Sequence, residues 1–360
     1  MGLIKKLGKK KLFILFGSIA GVIVIACVLI ISGVFKKKDK GPGYDIPKVP
    51  DGYFLVFRLV SEYDVADGEK TPITLCEYDK HGNLLVEKLK YRLYGDDEFD
   101  RITEYSYNDQ DKPVRIQTAY ADGDVRTEDI TYESDGRETQ CVITQDRETK
   151  TIRSEYDESG NLVFSETFDE DGKRTESAEY ENDENGFTTY MDVKTYSGIN
   201  LIHETIVRWT RRPNGSIEKL SYLERDYDVN GISSETELVT SFDKWGNAIA
   251  EACFDNGERR YGYVYECIYD EDGRLKEYIG PSGTTDYYEY DKNGRVVSIK
   301  SWDVTTYYVY DSYGNVIKEY TTENGQDPAD VTEYTEYKYQ PFAVRMDQLT
   351  DDEYFKLFVQ

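Results

Sequence analysis

The sequence has little of what enzymes use for catalysis. Among 360 residues there are two histidines, His81 and His203, and the five cysteines are scattered without a C-x-x-C pair. Zinc sites need closely spaced Cys or His ligands, and a nucleophile needs a base beside it, so neither chemistry is indicated. No glycine-rich loop stands between a strand and a helix, which argues against nucleotide binding. We predict that the chain is not an enzyme.

Positive charge is scarce outside the amino terminus. The first 40 residues hold nine lysines and one acid, Asp39, so the rest of the chain carries 35 basic against 69 acidic residues. Nucleic-acid affinity comes mainly from Lys and Arg on phosphates, so DNA and RNA are not expected as partners. The 33 tyrosines and 14 phenylalanines supply rings that cover a pleated sheet, which indicates a folded, acidic body rather than a disordered one.

One long apolar run interrupts this polar chain. Residues 12–35 contain no charge and are long enough to cross a bilayer as a helix. An amino-terminal span of this kind behaves as an uncleaved signal-anchor. The sequence predicts a basic tail at 1–11, a transmembrane helix at 12–35 whose partner is the lipid bilayer, and a linker at 36–51. Lipidation of Cys27, which follows Val24-Ile25-Ala26, stays open as an alternative.

The rest of the chain is organised around a short repeated turn. Aspartate suits the first position of a type I turn because its carboxylate accepts a hydrogen bond from the backbone two residues on. Glycine at the fourth position permits a positive φ and the bulge that keeps the strand twist. The motif therefore predicts a hairpin. Clear copies begin at Tyr78, Tyr156, Tyr269, Tyr290 and Tyr310, the fourth reading Tyr290-Asp291-Lys292-Asn293-Gly294-Arg295-Val296.

The segments between these turns alternate as strands do. Tyr261, Tyr263 and Tyr265 fall on one face of such a segment. Lone hairpins are marginally stable in water, so the hairpins are expected to pair edge to edge. We predict an all-β fold: an antiparallel β-hairpin repeat array at 52–341, with an open or partly curled, solenoid-like sheet. A capping-box pattern at Thr350 and Glu353 predicts a short C-terminal helical cap at 342–360.

Tyr-Asp-x-x-Gly-Asn/Arg-Leu/Val followed by a strand resembles the pattern of the RHS/YD-repeat family, from about Tyr78 to Val316. The resemblance implies an exported or surface-displayed protein whose hairpins wind into a β-sheet shell, which in that family encloses a toxin or forms part of an adhesion-receptor ectodomain. It implies no catalytic residues. This chain is short, its repeat spacing is uneven, and some 20 residues follow Pro341. An open sheet is therefore expected rather than a closed, cargo-holding shell.

One segment matches a calcium-loop pattern. Asp226, Asp228, Asn230 and Glu237 satisfy the D-x-D-x-N-G-x5-E arrangement, in which oxygen ligands wrap a hard cation around a glycine bend. Turn chemistry explains the aspartate and the glycine as well, since the other repeat copies share them, so both interpretations stay open. These four residues are the candidate calcium ligands, and no other cofactor is expected.

The predicted function follows from location and aromatic content. Rows of tyrosine and the rings of Trp209, Trp245 and Trp302 would stack on sugar faces, although cross-strand pairing accounts for tyrosines too. We predict a cell-membrane, single-pass protein whose extracellular C-terminal domain binds carbohydrate, wall polymer or a cell-surface protein. The alternative is a structural or chaperone-like scaffold for an exported partner such as a toxin. A cell-envelope enzyme is the third possibility.

Overall fold

The computed structural model describes residues 47–50, 53–90, 99–323, 326–350 and 353. They form 23 β-strands and two short 3-10 helices, Pro328–Asp330 and Met346–Gln348. The first twelve strands are β1 Tyr53–Ala66, β2 Glu69–Tyr78, β3 Leu84–Leu89, β4 Arg101–Tyr107, β5 Pro113–Tyr120, β6 Val125–Tyr132, β7 Glu138–Gln145, β8 Glu148–Tyr156, β9 Leu162–Phe168, β10 Arg174–Asn182, β11 Thr188–Ser197 and β12 Asn200–Arg211. The others are β13 Ile217–Asp228, β14 Gly231–Phe242, β15 Ala248–Asp255, β16 Glu258–Val264, β17 Glu266–Tyr269, β18 Leu275–Ile279, β19 Thr285–Tyr290, β20 Val296–Ser301, β21 Val304–Tyr310, β22 Val316–Glu323 and β23 Tyr334–Arg345.

The strands pair in chain order, each antiparallel to the next. The segment Glu258–Tyr269 is one interrupted strand: β16 pairs with β15, β17 pairs with β18, and between them the Tyr265 N–H donates to the Ile249 carbonyl at 3.0 Å. Since consecutive strands run in opposite directions, every second connection lies at the same rim of the sheet. This alternation decides where the repeated turns lie.

The sheet returns to its own beginning. β1 pairs with β23 along its length, from Tyr53 opposite Arg345 to Val65 opposite Tyr334, and β22 adds two further residue pairs to β23. The sheet is therefore nearly closed, and the prediction of an open or partly curled sheet is wrong. The closing pairs join residues more than 260 positions apart in sequence, and no local pattern of side chains encodes such a contact.

The best-packed core lies at this closure. Val56, Phe342, Val344 and Leu349 are buried against one another, with Tyr78 packed beside them. Elsewhere the core is thin, because only thirteen apolar residues of the described chain are buried. A sheet covered by a second layer would bury whole rows of apolar side chains along every strand. The sheet is therefore stabilised mainly by pairing between neighbouring strands.

The predicted C-terminal helical cap at 342–360 is corrected by the same pairing. Phe342 and Val344 continue β23 because they lie opposite Val56 and Phe54 of β1 and are buried there. A single 3-10 turn, Met346–Gln348, follows. Thr350 and Glu353 do make the predicted capping-box bonds: the Thr350 N–H donates to Glu353 Oε2 at 2.8 Å and the Glu353 N–H to Thr350 Oγ1 at 3.2 Å. Residues 354–360 lie outside the described part.

The predicted transmembrane helix at 12–35 lies outside the described residues, as do the basic tail and most of the linker. In the part of the chain that the structure does describe, no helix has the length and apolar character needed to cross a bilayer. The fold prediction of an N-terminal transmembrane helix, and the localisation derived from it, a single-pass protein with an extracellular C-terminal domain, are corrected accordingly.

Candidate functional site

The repeated turns gather at one rim of the sheet, which we call the YD rim. It consists of the ten turns at 79–83, 108–112, 133–137, 157–161, 183–187, 212–216, 243–247, 270–274, 291–295 and 311–315. The other turns of the described residues lie at the opposite rim, among them 169–173, which has the same Asp-x-x-Gly hydrogen bonds. All five clear copies of the motif lie on the YD rim, because each joins a strand that runs towards this rim to a strand that runs away from it. A repeat that is irregular in sequence is thus regular in space.

Each motif aspartate binds its own turn on two sides. Asp291 Oδ1 accepts the backbone N–H groups of Asn293 at 2.8 Å and Arg295 at 3.0 Å, and its Oδ2 accepts Arg295 Nε at 2.7 Å. Gly294 has a φ of +82°, as the turn requires. Burial alone would raise the pKa of Asp291, but the backbone and guanidinium donors of Arg295 outweigh it and lower that pKa. The residue after glycine is Asn or Arg because it supplies this second donor.

The motif tyrosine joins each hairpin to the one before it. The Tyr290 hydroxyl donates to the Leu275 carbonyl at 2.6 Å, and the Tyr310 hydroxyl to the Val296 carbonyl at 2.7 Å. In both cases the acceptor is the last residue of the preceding motif. The guanidinium groups of Arg274 and Arg295 lie over the rings of Tyr290 and Tyr310, 5.0 and 4.6 Å from the centroids. Every residue type of the motif therefore has a structural task on the YD rim.

The closing strands are fastened to this rim by ion pairs. Arg58 Nε lies 3.0 Å from Glu353 Oε1, while other guanidinium nitrogens donate to the carbonyls of Gln348, at 2.7 Å, and Gly82. Both carboxylate and guanidinium are mostly covered, with side-chain exposures of 13% and 10%, so the pair is shielded from solvent. The end of β23 and the first YD turn are thereby held together.

Sequence reasoning missed a second cluster beside it. Asp79, His81 and Asp111 bring one ligand atom each to within 4.8 Å of one another. Asp111 takes the glycine position of a degenerate copy, with a φ of +57°. Its Oδ2 accepts Arg345 Nη2 at 2.9 Å and its Oδ1 accepts Asn83 Nδ2 at 3.0 Å. Burial raises its pKa, but these donors and His81 lower it overall. With a guanidinium already bound, the cluster works as an ion-pair junction between two turns and β23.

That junction had a readable signal in the sequence. An aspartate where the other copies have glycine adopts a left-handed backbone at some cost, which is accepted when the side chain has partners. The partners themselves were not readable, because Asp111, His81 and Arg345 are brought together by strand pairing across the whole chain.

The four candidate calcium ligands occupy one hairpin but do not converge. Asp226 lies opposite Ser234, whereas Glu237 lies opposite Leu223, so the two carboxylates are on opposite faces of the sheet. Asp226 accepts from Ser234 Oγ at 2.7 Å and contacts His203 Nδ1 at 2.9 Å.

The remaining candidate ligands are used by the hairpin itself. Asp228 accepts the Asn230 N–H at 2.6 Å, which leaves Asn230 as a turn residue, and Glu237 accepts from Ser221 Oγ at 2.6 Å. Calcium binding stays a prediction. This register gives it no shared cavity, and a melting temperature that rises in millimolar Ca²⁺ relative to chelator would show that the hairpin rearranges to bind it.

The histidine of this hairpin has the partners of a sheet residue. His203 contacts Asp226 through Nδ1 and Thr205 Oγ1 through Nε2, at 2.9 and 3.2 Å. Thr205 and His203 lie on the same strand. The backbone N–H groups around them pair with the neighbouring strands, so these N–H groups are not available to stabilise an oxyanion. The arrangement orders side chains on the sheet surface.

Comparison with known families decides the class of repeat. The RHS Repeat family model matches residues 269–303, which hold the turns at 270–274 and 291–295. The chain contains an RHS repeat. The resemblance read from the sequence is confirmed by this match, which includes two of the ten turns of the YD rim. A comparison with curated proteins gave no match.

Solved structures with some likeness are large toxin complexes and porin-like proteins. A TcdB2-TccC3-TEV crystal structure is 11% identical, with a TM-score of 0.30, and the match covers 78% of this chain and 18% of that one. The Tc holotoxin pore of Photorhabdus luminescens is 9% identical at a TM-score of 0.29, covering 75% and 19%. A porin-like protein from Bacteroides uniformis is 11% identical at 0.27, covering 82% and 100%. The chain spans about a fifth of the length of the toxin-complex chains.

Proposed function

We propose that this RHS-repeat chain is a structural scaffold that holds an exported protein partner, such as a toxin component. The observation that carries the proposal is the pairing of β1 with β23, which turns a row of hairpins into a nearly closed sheet. A closed sheet has no terminal edges to protect and presents two broad faces. It is suited to surrounding or supporting another polypeptide.

The contacts of the motif residues favour this scaffold function over surface adhesion. The motif residues are committed to neighbouring hairpins, as Tyr290 and Arg274 show, so the repeat stabilises the frame instead of binding a ligand. The surface-adhesion function that we expected first gains no support from the residues of the YD rim. We also infer that the chain is not an enzyme, because its histidines have structural partners on the sheet and at the closure.

Co-purification tests the proposal. Tagged full-length chain is isolated from its native host, and bound proteins are quantified by mass spectrometry against the chain itself. One partner close to equimolar is expected with the wild-type chain and with the control variant Phe187→Ala, whose ring is 43% exposed. Phe342→Ala, which weakens the closure, should release it. Absence of any stoichiometric partner, or equal retention by Phe342→Ala, would contradict the proposal.

A further inference from the structure

One turn of the opposite rim has an unexpected residue. Four hairpins of the described chain have two-residue turns whose first residue is not glycine and has a positive φ: Asp67 at 51°, Asp146 at 53°, Asn256 at 49° and Trp302 at 54°. Asp and Asn tolerate this conformation, whereas a bulky aromatic residue adopts it at a cost. Such strain persists where the side chain is needed in that position.

The Trp302 ring contributes nothing visible to the packing of the described residues. Its residue is 74% exposed and has no ring partner among them. Trp245 is different: it is 50% exposed, its ring lies 4.0 Å from the Tyr269 ring, and the Lys244 amine stands 3.9 Å over it. Trp209 is half-buried on β12. Of the three tryptophans, Trp302 alone presents an uncovered indole face on a strained turn.

The indole borders a shallow depression of about 410 Å³. Its walls come from the β18–β19 turn, the start of β19 and the β20–β21 turn, and its lining residues are Ser282, Gly283, Thr284, Thr285, Tyr287 and Trp302. The lining contains hydroxyl groups and two rings but no charged side chain. Tyr287 is 47% exposed, and the Ser282 and Thr284 hydroxyls are 2.7 Å apart.

Charged residues of both signs lie around the depression, and Glu277 lies opposite Tyr287 on β18. Lys300 lies opposite Tyr287 on β20, and Asp303 follows Trp302 in the turn. The chain as a whole carries a formal charge of −26, which repels anionic ligands. An anionic ligand is therefore disfavoured, and no charged side chain lines the depression to hold a cation. A neutral polar ligand with one apolar face fits the lining.

We propose that this depression binds a pyranose ring of an uncharged oligosaccharide. The C–H face of the sugar would lie on the Trp302 indole, whose ring face is the negative side of its quadrupole. The hydroxyls of Ser282, Thr284, Thr285 and Tyr287 both donate and accept hydrogen bonds, as sugar hydroxyls do. This site goes beyond the scaffold function, and it lies on the rim opposite the YD rim, within the segment 269–303 that matches the RHS Repeat model.

The test uses the full-length chain and three uncharged probes: cellohexaose, chitohexaose and maltohexaose. Each is titrated by isothermal calorimetry, with tryptophan fluorescence as a second readout, to about 10 mM, which nearly saturates a site of 1 mM dissociation constant. The decisive variant is Trp302→Asn, since Asn tolerates a positive φ at the first position of a two-residue hairpin turn and so preserves folding. Trp245→Ala is the matched control for loss of an exposed indole.

We expect at least one probe to bind, with affinity reduced about tenfold or more by Trp302→Asn and unchanged by Trp245→Ala. Trp302→Phe should retain part of the affinity, since it keeps an aromatic face. The proposal is overturned if none of the three probes binds the wild-type chain, or if Trp302→Asn binds as the wild type does.

Discussion

Phe342 allows the closure of the sheet to be tested directly. Its side chain is 5% exposed, packs with Val56 and Val344, and its ring centroid is 5.2 Å from that of Tyr78. Removing a buried phenyl ring to alanine costs about 3–5 kcal/mol, the transfer free energy plus the cavity that remains. The loss of unfolding free energy should lie near the lower end of this range if the ion pair and hydrogen bonds of Arg58 keep β1 and β23 together.

The effect should be local as well as large. In a sheet of paired repeats each strand depends on its neighbours, so a weakened closure raises the population of a form opened between β1 and β23. A loss of about 3 kcal/mol raises that population roughly 150-fold. Hydrogen exchange of β1 and β23 amides should accelerate accordingly, while that of β12 and β13, on the far side of the strand order, changes little.

Urea unfolding and hydrogen exchange on Phe342→Ala and on the control Phe187→Ala provide the measurement. Phe187 is 43% exposed and lies under the Arg211 guanidinium, so its removal should cost at most about 1 kcal/mol. The reasoning is refuted if Phe342→Ala loses less than about 1 kcal/mol. An acceleration spread evenly over all strands would refute it as well, since the sheet would then unfold as one unit.

Three further predictions concern the turns. Tyr290→Phe should lower the free energy of unfolding by about 0.5–1.5 kcal/mol through loss of its bond to Leu275, while Tyr287→Phe, half-exposed, should change it by at most about 0.5 in urea unfolding. The folded state lowers the pKa of Asp291, so the ionised carboxylate stabilises the fold above the ordinary Asp pKa, and this stabilisation is lost as the pH falls through the folded pKa. The difference in melting temperature between wild type and Asp291→Asn should therefore shrink below about pH 4. Trp302→Asn should raise stability by about 0.5–1 kcal/mol, measured by urea unfolding, and a loss would show that the indole packs in the folded state.

The local structure was readable from the sequence and the global structure was not. The turn at Tyr290 to Val296 follows from its Asp and Gly, and the alternation around Tyr261 correctly indicates a strand. The same alternation gives no sign that this strand divides at Tyr265 between two partners. Closure depends on Phe342 and Val344 pairing with β1, and an apolar alternation near a chain end predicts a strand or a short helix without naming its partner.

Strand pairing also decides which candidate sites could be predicted from the sequence. A calcium pattern in Asp226 to Glu237 relies on spacing along the chain, and spacing specifies a loop only if the residues form a loop. In a hairpin, successive residues alternate between faces, so oxygen ligands spaced for a loop are separated by the sheet. The Asp111 junction shows the converse, since its members are far apart in sequence and adjacent in space. The chemistry of the side chains could be predicted from the sequence, whereas the strand pairing that brings them together could not.

The two rims have different capacities for function. On the YD rim the motif aspartates, arginines and tyrosines bind their own turn or a neighbouring hairpin, so a ligand would have to displace bonds such as that of Tyr310 to Val296. The opposite rim has turns of differing length and composition, from Asp67-Gly68 to the turn at Trp302, and only some of them, such as 169–173, repeat the hydrogen bonds of the motif. A substitution there alters a surface without loosening the sheet. Binding sites should therefore occur on the opposite rim. Trp302 in that rim adopts a positive φ that Asn would adopt at a lower conformational cost.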